Sequence, residues 1–166
     1  MDQLTCDSPA LQDPCGAIPL ARKMAGNVIV RPALPRDTAT IQAYVQGLSA
    51  VAHHNRFLGA VNELPASELN RMTHMHYGSH PALIAETVVE GVRTMIGEAR
   101  YAGSPDGRTC EFAVSVADTW RRKRLGMLLM GVVECRATAL GLRYLVGDVL
   151  RSNLAMTALA RKAALR

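Results

Sequence analysis

Glu111-Phe-Ala-Val-Ser-Val-Ala-Asp-Thr-Trp-Arg-Arg-Lys-Arg-Leu-Gly-Met-Leu-Leu-Met130 joins a strand pattern, a basic turn and a helix pattern without a break. Cys110, Phe112, Val114 and Val116 alternate with Glu111, Ala113 and Ser115. A strand over 109–116 therefore turns an apolar side to the core and sets a carboxylate beside small residues on the other side, which predicts a groove. The turn Arg121–Leu125 then enters a helix whose first N–H groups and positive dipole end lie beside four basic side chains. That environment suits a pyrophosphate. A solvated basic loop ahead of an amphipathic helix fits the same residues equally well.

Working outward, residues 126–140 carry Leu129, Val132, Val133, Arg136, Ala137 and Leu140 at helical spacing and stop at Gly141. A strand is expected over 143–150, then a last helix capped by Ser152 and running nearly to Arg166. Upstream, 82–88, 94–101 and 109–116 form a strand meander broken at Glu90–Gly91 and at 103–107. Before it, a helix over 38–51 follows Asp37 as N-cap and buries Ile41, Tyr44, Val45, Leu48 and Val51. A second helix starts at Pro65 and runs to about Met75. Residues 27–31 alternate as a strand, and 1–26 read as a flexible lead-in. The order β-α-α-β-β-β-α-β-α defines a mixed α/β fold, with 27–166 as one domain.

With 166 residues, 49% hydrophobic and 20% charged, the chain has the composition of a globule with a real core. No apolar run reaches the roughly 18–20 residues of a membrane span, and no leader pattern opens the sequence. Cys6, Cys15, Cys110 and Cys135 lack close paired spacing, and His53-His54 and His74-x-His76 lack further ligands. No metal is therefore expected, the histidines read as surface or capping residues, and a reducing cytoplasm is the expected setting. Charge is divided: residues 1–117 carry 9 basic and 11 acidic groups, whereas 118–166 carry 10 and 3. The basic part is suited to an anion. Arg121-Arg-Lys-Arg124 has no aromatic neighbour beyond Trp120, too little for a nucleic-acid interface.

Asp118-x-Trp-Arg-x-x-x-Leu-Gly-x-x-Leu-Met130, preceded by Glu111-Phe-Ala-Val114 and followed by Gly147-Asp-Val-Leu-Arg-Ser-Asn153, resembles the GNAT superfamily of N-acetyltransferases. Asn55-Arg56-Phe57-Leu58, Leu69-Asn-Arg-Met-Thr73, His80-Pro-Ala-Leu-Ile-Ala85, Ile96-Gly-Glu-Ala-Arg100 and Met156-Thr-Ala-Leu-Ala160 extend the likeness to bacterial Pat-type protein lysine acetyltransferases. The resemblance covers about residues 27–165. It implies a mainly antiparallel sheet flanked by helices, acetyl-CoA as cosubstrate, no metal, and a primary amine, a protein lysine in the Pat-type group, as acceptor. A small amine as acceptor, or a non-catalytic CoA-binding role, are the alternatives.

By the same resemblance Glu111 takes the general-base position, with Glu98 in reserve; the bland reading of Glu111 is an ion pair with Arg100 or Arg108. The amides of Arg122, Lys123, Arg124, Gly126 and Met127, after Arg121, correspond to the turn that wraps the CoA pyrophosphate. Val114 and Val116 correspond to the strand positions that pair with the pantetheine amides. Asn153 matches an asparagine contacting that arm, and fits a first helical turn equally well. The family pattern has glycine where this chain has Arg124, and a left-handed arginine there costs on the order of 1 kcal/mol. Ala160 stands where many relatives carry a tyrosine acid. Superfamily members continue with two further strands, so the strand at 143–150 is expected to be an open edge, with self-association through it.

Overall fold

The computed structural model describes residues 28–58, 63–74 and 82–164. The lead-in expected over 1–26 lies outside the described residues. β1 (Ile29–Pro32) leads through a 3-10 turn to α1 (Thr38–Gln46), α2 (Ala50–Phe57) and α3 (Ala66–Thr73). There follow β2 (Leu83–Val89), β3 (Val92–Gly103), β4 (Thr109–Val116), α4 (Leu125–Ala139), β5 (Tyr144–Val146) and α5 (Leu154–Ala164). The sheet order is β1-β2-β3-β4-β5. The first four strands pair antiparallel, and β4 pairs parallel with β5.

Side-chain alternation along the strands divides the core in two. Leu83, Ala85, Ile96, Ala99 and Cys110 pack under α4 against Leu125, Leu129, Val132 and Val133. Ile84 and Met95 face the opposite side, where Ile41, Val45, Leu48, Leu69 and Met72 of α1, its following turn and α3 cover them. Each face thus buries an apolar layer, the solution available to a sheet with helices on both sides.

The helix expected over 38–51 ends early, at Gln46, and a second one, α2, not foreseen beyond its first two residues, runs from Ala50 to Phe57. Gly47 is the C-cap of α1, and Ser49 adopts extended backbone (φ −63, ψ 158) and caps α2 through its hydroxyl, which accepts from the Ala52 N–H at 3.3 Å. The break rotates the next turn, so Val51 is 63% exposed, while Ala52 and His53 turn inward. His53 is therefore a buried residue beside Phe57, not a surface one. Asp37 precedes α1, but its carboxylate serves the chain before it: it accepts from the Leu34 N–H at 2.7 Å and from both Nη atoms of Arg31.

α4 is confirmed to within a residue at each end and is followed by Gly141, whose φ of +74 suits glycine. The strand expected over 143–150 shrinks to three residues. β5 pairs with Thr109, Cys110 and Glu111 only, then leaves β4. A Cβ at Gly147 would stand 3.0 Å from the Phe112 carbonyl oxygen, so the departing chain passes close against β4 and a side chain there would require a shift of a few tenths of an ångström. β5 is the edge of the sheet, with Tyr144 and Val146 exposed.

Candidate active site

The early departure of β5 leaves half of β4 without a neighbour. In the β3–β4 ladder the Ala117 N–H donates to the Ile96 carbonyl and the Ser104 N–H to the Thr109 carbonyl. These bonds mark the odd-numbered residues of β4 as the ones whose main-chain groups face β3. Those of Val114 and Val116 consequently point to the other side, past the point where β5 has left β4. A strand edge with unused donors and acceptors opens there onto a cavity of about 470 Å³.

The far end of that cavity is the entry to α4. Asp118 ties this region to α2: it accepts from the Ser49 N–H and hydroxyl, each at 3.0 Å, and pairs with Arg121 at 3.0 Å. Arg122 and Arg124 both adopt left-handed backbone, at φ 61 and 64. Arg124 is thus the left-handed N-cap anticipated from its place in the motif. The first intrahelical bond runs from the Leu128 N–H to the Arg124 carbonyl, so the N–H groups of Leu125 and Gly126 have no acceptor within the helix. Lys123 folds back over the Trp120 ring, Nζ 4.6 Å from its centroid. The third wall is α5, through Met156 and Leu159.

Of the residues singled out in the sequence, Val114, Val116, Arg121, Arg122, Arg124, Gly126, Met127 and Asn153 line this one cavity. Lys123 is not among its lining residues. The cap expected at Ser152 is Asn153 instead, whose Oδ1 accepts from the Met156 N–H at 3.1 Å. The bland and functional readings of Asn153 are both compatible with this position. Glu111 lines a second cavity of about 400 Å³, with Glu68, Arg71, Arg100 and Ala113. It is exposed and stands opposite Ala102, and the ion pair considered with Arg100 or Arg108 is not among those formed by the described residues, Arg100 pairing with Glu68 and Glu98.

Arg100 is engaged elsewhere. It pairs with Glu68 and lies 3.8 Å from Glu98 Oε2. Glu98 is the buried carboxylate of the site, its side chain only 1% exposed. Arg56 Nε donates to its Oε1 at 2.5 Å and the Ser115 hydroxyl donates at 3.3 Å. Tyr44 in turn donates to Ser115 at 2.9 Å. Burial pushes Glu98 toward protonation, but the charges of Arg56 and Arg100 outweigh it and hold the carboxyl below the ordinary range. A carboxylate held between two arginines in this way is a weak proton acceptor. The Arg56–Glu98–Ser115–Tyr44 chain was not anticipated, since its members lie on four elements and share no sequence spacing.

Asp37 is likewise held below the usual carboxylate range, first by its hydrogen bonds from Arg31; in Glu68 the arginines outweigh an opposing effect of burial. In the unfolded chain such groups titrate near pH 4. Below that pH the unfolded chain takes up protons that the folded chain still refuses. The stabilisation is complete above about pH 5 and is lost as pH falls toward the depressed folded values. Thermal melts are expected to be flat on this account from pH 7 to 5 and to drop steeply below about pH 4; an unchanged Tm at about pH 3 contradicts the assignment.

No family model matches the chain. An acetyltransferase of Pseudomonas aeruginosa is 28% identical over 130 residues, covering 78% of this chain and 70% of that protein. Among solved structures, the GNAT domain of the Streptomyces lividans protein PAT superposes with a TM-score of 0.72 at 21% identity, over 83% of this chain and 81% of that one. An aminoglycoside N-acetyltransferase in complex with CoA gives 0.63 at 13% identity, over 84% and 88%. The fold is the GNAT acetyltransferase fold: a five-stranded, mostly antiparallel sheet flanked by helices. Among the described residues no helix is long and apolar enough to cross a membrane, and no group of three or more acidic, histidine or cysteine side chains is placed to hold a metal.

Proposed function

We propose that the protein transfers an acetyl group from acetyl-CoA to a primary amine, with a protein lysine as acceptor and Glu111 as general base. The observation that carries this reading is the unpaired half of β4 leading into the N-terminus of α4. An extended chain of amides can pair with Val114 and Val116 as a neighbouring strand would, while a diphosphate meets the helix entry and the basic turn. Both features open on one cavity. The two sequence-similar and CoA-bound acetyltransferases named above support the same reading.

The acceptor approaches from the second cavity. An alkylammonium with a pKa near 10.4 is neutral at only about the 0.04% level at pH 7, so attack on a thioester requires a proton acceptor. Glu111, exposed and without an ion pair among the described residues, is suited to that task. The CoA thiol, with a pKa of about 8.5, leaves as thiolate without a tyrosine acid, consistent with alanine at position 160.

Calorimetry with acetyl-CoA, followed by thiol release with a lysine-rich protein and with polyamines, tests the proposal. Turnover with the protein alone supports lysine acetylation. Turnover with polyamines alone moves the acceptor to small amines, and binding without turnover favours the non-catalytic alternative. Absence of heat at millimolar acetyl-CoA rejects the reading altogether. Arg124→Gly tests the turn. Relief of the left-handed arginine is expected to raise unfolding free energy by up to about 1 kcal/mol, while loss of the cation weakens CoA binding severalfold. Thermal unfolding and CoA titration report the two effects separately.

A further inference from the structure

We propose that Arg56 holds the thioester carbonyl oxygen and the oxyanion that develops on it; the inference rests on the acetyl-transfer reading above. Of the residues lining the two cavities, Arg56 alone lines both. The first cavity extends from the Arg121–Met127 turn along β4 to Val114, and the second includes Ala113 and Glu111. Donor and acceptor entering from these two sides meet where the cavities adjoin, and the carbon under attack belongs there.

Arg56 brings an unused donor to that place. Its side chain is only 8% exposed, its Nε donates to Glu98, and its Nη2, like Glu98 Oε2, is enclosed without a hydrogen-bond partner among the described residues. The remaining nitrogen, Nη1, is neither enclosed in this way nor hydrogen-bonded to them, and it is the donor offered to a substrate oxygen in the cavities that the side chain lines. Glu98 and the ring of Phe57, 5.1 Å from the guanidinium carbon, fix the group before substrate arrives. Preorganised charge of this kind stabilises a developing anion without reorganisation.

In the step itself the amine nitrogen's lone pair forms the C–N bond as the carbonyl π pair moves onto oxygen, next to Arg56. The nitrogen's proton passes to Glu111. The oxygen pair then re-forms the carbonyl, the C–S bond breaks, and its electrons leave with the CoA thiolate.

Removing Arg56 alone strands the Glu98 charge, so the test uses Arg56→Met/Glu98→Gln, which removes both charges together. This variant is expected to lose about 100-fold or more in kcat while its KM for acetyl-CoA rises by no more than about fivefold. Binding gives a second readout. By calorimetry the native protein is expected to prefer acetyl-CoA to ethyl-CoA, the thioether lacking the oxygen, by about fivefold, the weight of one hydrogen bond, and the double variant to bind both alike. A double variant with native kcat and native preference shows Arg56 to be only the counter-ion of Glu98 and overturns the inference. A native protein that turns over acetyl-CoA yet shows no preference also overturns it. Failure of the native protein to bind acetyl-CoA at all rejects the underlying reading, and this inference with it.

Discussion

Glu111→Gln is expected to reduce acetyl transfer by roughly 10²–10⁴-fold, the span of general-base catalysis by a positioned carboxylate. Glutamine preserves size and hydrogen-bonding reach but cannot take a proton. The residue is exposed, makes no ion pair among the described residues and lies outside the buried core, so folding and CoA affinity should be unchanged. The loss should therefore fall on kcat and not on Tm. Raising the pH is expected to narrow the gap, because a larger fraction of the amine is then neutral without help. Steady-state rates of native and variant protein between about pH 7 and 9.5 check both points, and a variant with native turnover at pH 7 places the base elsewhere.

The largest effect on stability is expected at the Arg56–Glu98 pair. Arg56→Ala leaves a carboxylate that is 1% exposed with its nearest cation removed, and Arg100 Nε stands 3.8 Å from the other oxygen. Breaking a buried pair from one side costs about 3–5 kcal/mol, because the remaining charge is uncompensated. For a chain of this size that lowers Tm by about 10 °C or more. Glu98→Ala should cost a comparable amount, since Arg56 is nearly as buried. Loss of both charges in Arg56→Met/Glu98→Gln is expected to recover most of the stability, because an ion pair replaced whole is often close to neutral. A double-mutant cycle by chemical unfolding gives the coupling directly. Additive single effects would mean that the two side chains do not form the contact seen here.

These two residues also show how differently the parts of the site could be read. Glu111 is visible in sequence because strand alternation puts it on the polar side of 109–116, beside Ala113 and Ser115. Glu98 obeys the same alternation on β3, yet nothing in its neighbours says that Arg56 reaches it. The two are 42 residues apart, and they meet only when α2 is laid over the sheet. α2 itself is largely missed in the sequence: the helical pattern read over 38–51 takes in only its first two residues. Leu48 satisfies the 3.6-residue period on both sides of the break, and only Ser49 as N-cap and the exposure of Val51 reveal that the helix restarts.

What the chain determines locally is therefore the set of elements and their inner faces. β4 has the residues expected of it, Thr109–Val116, and α4 lies within one residue; the left-handed backbone of Arg124 is implied only by the resemblance, which has glycine at that place. Period, caps and turn residues act over a few positions, so a linear reading captures them. Tertiary structure alone decided where β5 leaves β4, which strand edge is open, and which arginine stands between two cavities. Those outcomes depend on register and on the packing of helices against both sheet faces, contacts between residues that no local pattern relates.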